Sequence, residues 1–94
     1  MTLWTIAVLT VAERRPLFDR LMRALEPQLL DRDIELLVAD QQGWTVAEKR
    51  QWCLDHATGT YFNFIDDDDM VAGNYADAIY PLLDGVVDFI GFQL

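Results

Sequence analysis

The stretch YFNFIDDDDM, Tyr61 to Met70, constrains this chain most. Five mostly apolar residues run directly into four consecutive aspartates, Asp66 to Asp69. The first half has the aromatic and branched side chains of a core strand. The second half is expected to stay out of any core, because adjacent carboxylates repel one another and each is costly to desolvate. A core strand that delivers a dense negative cluster to a sheet edge makes a candidate cation site. Oxygen ligands of this kind suit Mg²⁺ or Mn²⁺, which in turn bind phosphates. The structural alternative is a solvated acidic loop ahead of a helix.

The remaining segments alternate in type. Leu3 to Thr10 (LWTIAVLT) is a strand whose continuous apolar run implies cover on both faces. VAERR follows as a loop, and Pro16 suits the first turn of a helix, where its missing N–H is harmless. Leu17, Leu21 and Leu25, with Phe18 and Met22, form the helix stripe, and Pro27 predicts an end near Glu26. Ile34 to Ala39 is a second strand, ended by Asp40 and the turn Gln41-Gln42-Gly43. Thr45 and Glu48 have capping-box spacing, so a second helix is expected to start there. Its core face would carry Val46, Cys53, Leu54 and Ala57, and Gly59 would help end it. Tyr61 to Ile65 is the third strand. A third helix is expected from Val71 to Tyr80, with Ala72, Tyr75, Ala76 and Ile79 inward and Pro81 as its limit. After a turn at Asp84-Gly85, Val86 to Phe92 reads as a fourth strand.

Strand–helix three times and then a strand predicts one α/β domain, an open three-layer sandwich with a mostly parallel sheet. The 94 residues suffice for one domain and no more. A formal net charge of -9 has the wrong sign for nucleic acid or an anionic membrane surface. The single cysteine, Cys53, excludes an internal disulfide and is expected to be a small buried hydrophobe. It fits a reducing, cytoplasmic setting. The apolar N-terminus is one strand long and lacks the pattern of a signal peptide, and no run reaches the length of a membrane span. His56 is expected near a helix C-terminus, partly exposed.

Ligands of open parallel sheets bind beyond the C-terminal ends of the strands. Thr10 to Glu13, Asp40, and Asp66 to Asp69 follow the three strands, and Lys49 and Arg50 open the intervening helix. An acidic cluster facing two basic side chains suits a metal-bound diphosphate. Asp40 reads either as a group that accepts hydrogen bonds from a base or ribose, or as an ordinary turn aspartate. Glycine-rich phosphate motifs are absent, so dinucleotide and P-loop readings are weak. The calcium-loop pattern fails because Met70 and Val71 stand where an oxygen ligand and glycine are needed.

At these residues the chain resembles the nucleotide-binding half of a family 2 glycosyltransferase with the GT-A (Rossmann-like) fold. IAVLTVAERR is similar to that family's first strand and loop, and LLVAD to its second strand and base-contacting aspartate. EKRQWCLDHATGTYFNFIDDDD resembles its basic-asparagine helix, glycine turn and DxD strand, and GNYADAI the helix behind it. The resemblance spans essentially the whole chain. It implies a single GT-A-like nucleotide-sugar-binding domain over residues 1–94 with Mn²⁺ or Mg²⁺ as cofactor. Thr10 would lie beside the nucleotide, Asp40 would recognise base or ribose, and Arg50 would stand near the nucleotide. Asp66, Asp68 and Asp69 would hold the metal. Leu9, Gln41 and Gln51 depart from the family's usual proline, aspartate and asparagine.

The expected function is therefore metal-dependent binding of a nucleotide-sugar donor. The family's acceptor surface and usual base follow a strand like Val86 to Phe92, so the chain is expected to be an incomplete domain, inactive alone, that self-associates or meets a partner completing the fold. Two alternatives stand beside it. One is a non-catalytic α/β interaction domain. The other is a Mg²⁺-dependent aspartyl phosphoryl-transferase or phosphatase with Asp66 as nucleophile and Asp68 as acid–base partner.

Overall fold

The computed structural model describes residues 2–83. The expected turn at Asp84-Gly85 and strand from Val86 to Phe92 lie outside the described residues. Within them, β1 (Trp4–Leu9), α1 (Arg15–Leu29), β2 (Ile34–Ala39), α2 (Val46–His56), β3 (Tyr61–Asp66) and α3 (Tyr75–Ile79) follow in order. The three strands form one parallel sheet in the order β2-β1-β3.

Alternation along β1 builds two cores. Trp4, Ile6 and Val8 face one side, where Phe18, Leu21, Met22 and Leu25 of α1 meet Tyr75, Ala76 and Ile79 of α3. Ala7 faces the other side with Ala39 and Cys53 of α2. The result is the expected sandwich: α1 and α3, sheet, α2. Cys53 is fully buried, and burial pushes its thiol up, away from the reactive thiolate.

β1 is central. The chain leaves it to one side for β2, then passes back across it to β3 on the other side. Leu9 is in register with Ala39 and with Asp66, so all three C-terminal ends lie on one rim, as expected. The reversal of direction opens a crevice between the ends of β1 and β3, which is where ligands sit in sheets of this kind.

Several local expectations are corrected. The VAERR segment is a 3₁₀ turn, Ala12–Arg14, that leads straight into α1. α1 passes through Pro27 to Leu29. Proline there removes one backbone donor, while the turn around it is anchored by Gln28, whose amide donates to the carbonyls of Ala24 and Ala72 and accepts from Ala76 N. Tertiary bonds outweigh the local penalty.

α2 begins with the expected capping box between Thr45 and Glu48, but its rotation differs. Val46 and Leu54 are 59% and 52% exposed, and Lys49 lies inward with Cys53, one turn away. The helix stops at His56 without help from Gly59, which instead packs on the backbone of β1. His56 is exposed, stacks on Trp52 with ring centroids 4.5 Å apart, and places Nδ1 2.8 Å from the Trp52 carbonyl.

The third helix is only Tyr75–Ile79, continued by a 3₁₀ turn, Tyr80–Leu82, that contains Pro81. Tyr75, Ala76 and Ile79 are buried as expected, but Ala72 is exposed and not helical. Gly73 and Asn74 are poor helix formers, so helix forms only where Gln28 and the core hold it.

The Tyr75 hydroxyl accepts from Asn63 Nδ2 at 3.3 Å. Burial pushes its phenol up to about 12; the Asn63 bond opposes the shift and the charge of Asp69 adds to it. The folded value lies above the ordinary 10.0, so the associated stability is intact below that pH and is lost as pH rises towards about 12. Tyr75→Phe is expected to flatten the fall in thermal midpoint over this window. Thermal melts of both proteins at stepped pH check this, and equal slopes would refute it.

Candidate functional site

The crevice is a cavity of about 390 Å³ between the ends of β1 and β3 and the start of α2. Leu9, Thr10, Val11 and Arg14 line one side, Val46, Lys49 and Arg50 a second, and residues Phe64 to Asp68 the third. Thr10, Arg50, Asp66 and Asp68 therefore meet as expected. Asp40 is on the same rim but exposed at the end of β2, the strand farthest from β3, and does not line the cavity.

The acidic run does not behave as one unit. Asp67 is only 5% exposed, contrary to the expectation that none of the four could be buried. Its carboxylate is met on both oxygens by Arg14: Nε donates to Oδ2 at 2.9 Å, and an Nη lies 2.8 Å from Oδ1. The Thr10 hydroxyl adds a third bond to Oδ2 at 2.9 Å. A two-point guanidinium contact is the geometry that lets a carboxylate leave water. The bond to Asp67 and its charge, with Asp68 adding a smaller share, hold the Arg14 guanidinium above its ordinary value.

With Asp67 turned inward, its neighbours point out. Asp66, Asp68 and Asp69 each offer a carboxylate oxygen within 4.8 Å of the others. A tight turn makes this grouping: Asp69 N donates to the Asp66 carbonyl at 3.0 Å, and Asp69 Oδ2 accepts from Asp66 N at 2.9 Å. α1 supports the turn from outside, with an Arg20 Nη donating to the Asp68 carbonyl at 3.2 Å. Asp68 also pairs with Arg14 at 3.3 Å. Three convergent carboxylates beside open space fit a hard divalent cation that keeps several waters or phosphate oxygens.

Across the cavity stands positive charge. Arg50 lies over the Phe64 ring, 5.7 Å from its centroid. Lys49 is only 3% exposed, and its ammonium donates to the Thr10 carbonyl at 2.8 Å. That bond is buried, and Lys49 also lines the cavity. Thr10, expected beside a nucleotide, is thus a hub: its hydroxyl holds Asp67 and its carbonyl holds Lys49.

Arg14 and the burial of Lys49 were not legible as site features. Arg14 has the signal of following the first strand, but so do Glu13 and Arg15. Comparison of the chain with protein-family profiles, with curated proteins and with solved structures finds no match.

Proposed function

We propose that this chain is a metal-dependent nucleotide-sugar-binding domain of the GT-A kind, similar to the donor half of family 2 glycosyltransferases. The observation that carries the reading is one cavity lined both by Asp66 and Asp68, whose carboxylates converge with that of Asp69 just beyond the lining, and by the cations Lys49 and Arg50. A diphosphate needs both: acidic ligands for its metal and basic groups for its remaining charge. When bound, Mn²⁺ or Mg²⁺ would neutralise diphosphate oxygens and favour departure of the nucleoside diphosphate. The protein's own part is to hold the carboxylates convergent through the Arg14–Asp67 pair and the Asp66–Asp69 turn. Asp40 can reach only a ligand that extends past the cavity toward β2, as a base or ribose would.

Sugar transfer with inversion also needs a base near the acceptor hydroxyl. Among the described residues no histidine or glutamate lines the cavity, and the aspartates there are engaged with Arg14 or assigned to the metal. The chain alone is therefore expected to bind donor weakly and to need further sequence or a partner for transfer. No helix among the described residues is long and apolar enough to cross a membrane.

The test is calorimetry of a panel of nucleotide sugars with Mn²⁺ and with chelator, followed by product analysis with mixed acceptors. Metal-dependent binding with negligible product is expected. Binding of no nucleotide sugar, or equal binding in chelator, overturns the reading. Abundant glycosylated product overturns only the need for further sequence. A covalent aspartyl-phosphate would move the assignment to phosphoryl transfer.

A further inference from the structure

β2 is an edge strand. Among the described residues it pairs with β1 alone, and no strand lies on its other side. The ladder shows which of its backbone groups are free. The Asp33 carbonyl accepts from Leu3 N and Trp4 N, and the Ala39 carbonyl accepts from Thr10 N, so residues 33 and 39 turn their backbone groups toward β1. Direction alternates along a strand, so Glu35 and Leu37 turn the same way, and Ile34, Leu36 and Val38 turn theirs outward. Their three N–H groups and three carbonyls stand along the open edge, where each still requires a partner.

Edges of this kind are commonly guarded by lysine, proline, a bulge or a cover. β2 carries no lysine or proline, and its register with β1 runs unbroken from Ile34 to Ala39, so it has no bulge. Its one charged side chain, Glu35, is drawn back over the sheet, where Oε1 accepts from Thr5 Oγ1 at 2.9 Å and from Thr58 N at 3.0 Å. The residues from Ile34 to Val38 are only half-buried, while Trp4 to Val8 of β1 are buried. The ends of the edge are acidic. Asp31 and Asp33 precede the strand and Asp40 follows it, and all three are exposed. None of them joins an ion pair among the described residues, whereas Arg32 is committed to Asp77 and to the Gln28 carbonyl. A second copy of this chain suits the edge poorly. Antiparallel pairing of two β2 strands sets Asp33 against Asp40, parallel pairing sets each against its like, and each copy carries a net charge of -9.

We propose that the open edge of β2 docks an extended segment of another protein, apolar at alternate positions and basic at both ends. Main-chain hydrogen bonds to Ile34, Leu36 and Val38 make the pairing, and the segment's alternate apolar side chains cover the exposed flanks of the same three residues. Its terminal lysines or arginines meet Asp33 and Asp40, which stand roughly 23 Å apart along an extended chain. The inference does not rest on the donor-binding reading, with which it shares only Asp40.

The probe is an acetylated and amidated octapeptide with lysine at both ends and valine and threonine alternating between them. It is titrated into the full chain at low salt and followed by nuclear magnetic resonance. Saturable binding is expected, with hydrogen exchange slowed at the amides of Ile34, Leu36 and Val38 and unchanged at Glu35 and Leu37, which already face β1. N-methylation of the valines and N-methylation of the threonines block opposite edges of the peptide, and one is expected to weaken binding about tenfold more than the other. Glutamate in place of the terminal lysines is expected to abolish saturable binding. Asp31→Asn combined with Asp33→Asn is expected to weaken binding of the lysine peptide about threefold or more. Asparagine readily adopts the left-handed backbone of Asp31, φ 60°, so the fold is retained. Absence of saturable binding, protection without alternation, equal effects of the two N-methylations, or equal binding by the glutamate peptide or the double variant each overturns the proposal. So does slow exchange at Ile34, Leu36 and Val38 before peptide is added. Where dilution then restores fast exchange, the edge belongs to a second copy, and where it does not, the chain covers its own edge.

Discussion

Asp68→Asn is expected to abolish Mn²⁺-dependent nucleotide-sugar binding and leave the fold unchanged. Asp68 is exposed, its carbonyl rather than its carboxylate receives Arg20, and its pairing with Arg14 is the longer of that residue's two ion pairs. Its carboxylate therefore contributes little to the fold. To a cation it is one of three convergent ligands. Exchanging a charged ligand for a neutral amide should cost about a hundredfold or more in metal affinity, beyond the roughly 10–100-fold typical of residues behind the ligands. Asp67→Asn should do the reverse. It breaks a buried charged contact made on both oxygens by Arg14, so it should lower the thermal midpoint clearly and disturb metal binding only through the fold. The measurements are Mn²⁺ titration by electron paramagnetic resonance and thermal melts of both variants. Equal Mn²⁺ binding by wild type and Asp68→Asn would remove Asp68 from the site.

Gly59→Ala should be the most damaging glycine-to-alanine substitution among the described residues. A Cβ there would stand 2.5 Å from Thr5 N, 2.6 Å from Thr5 Oγ1 and 2.8 Å from the carbonyl carbon of Trp4. These atoms belong to β1, the central strand, which has neighbours on both sides and cannot retreat. The contact is also cross-linked. Gly59 N donates to Thr5 Oγ1 at 2.8 Å, and that hydroxyl donates to Glu35 Oε1 at 2.9 Å, which also receives Thr58 N at 3.0 Å. Burial pushes the Glu35 carboxyl up, but the bonds from Thr58 and Thr5 outweigh it and hold the group below its usual range. Overpacking at a rigid site costs about 1–3 kcal/mol. With the hydroxyl bridge broken as well, about 3 kcal/mol is expected, a large part of what a domain this small has to lose. Urea denaturation reads the change in midpoint. A loss below about 0.5 kcal/mol, the scale of an ordinary surface change, would show that the 57–60 segment can move away from β1.

Gly59 also shows where sequence and structure part. As a residue after a helix it reads as a helix stop, and only the approach of β1 shows that its lack of a side chain is needed for packing. The elements themselves were legible because their signals are local. β2 was placed from Ile34 to Ala39, and the capping box opened α2 where expected. The alternating and three-to-four-residue patterns report which segments form strands and helices from nearby residues alone. The common rim followed from three apolar runs that each give way to a polar residue, Thr10, Asp40 and Asp66, at the end of a parallel strand.

Tertiary structure alone decided which charges are buried. The sequence shows four equivalent aspartates, and they become unlike because Arg14, 53 residues earlier, meets Asp67 on two oxygens. Val46 looks like a core residue and Lys49 a surface one, yet their places are exchanged because the Thr10 carbonyl is available to the ammonium. The continuation of α1 through Pro27 depends likewise on Gln28 reaching Ala72 and Ala76. Each outcome turns on a partner distant in the chain. Local pattern determined which segments form strands and helices, while long-range hydrogen bonds to charged and polar groups decided the content of the cavity, because desolvation is affordable only where such a partner arrives.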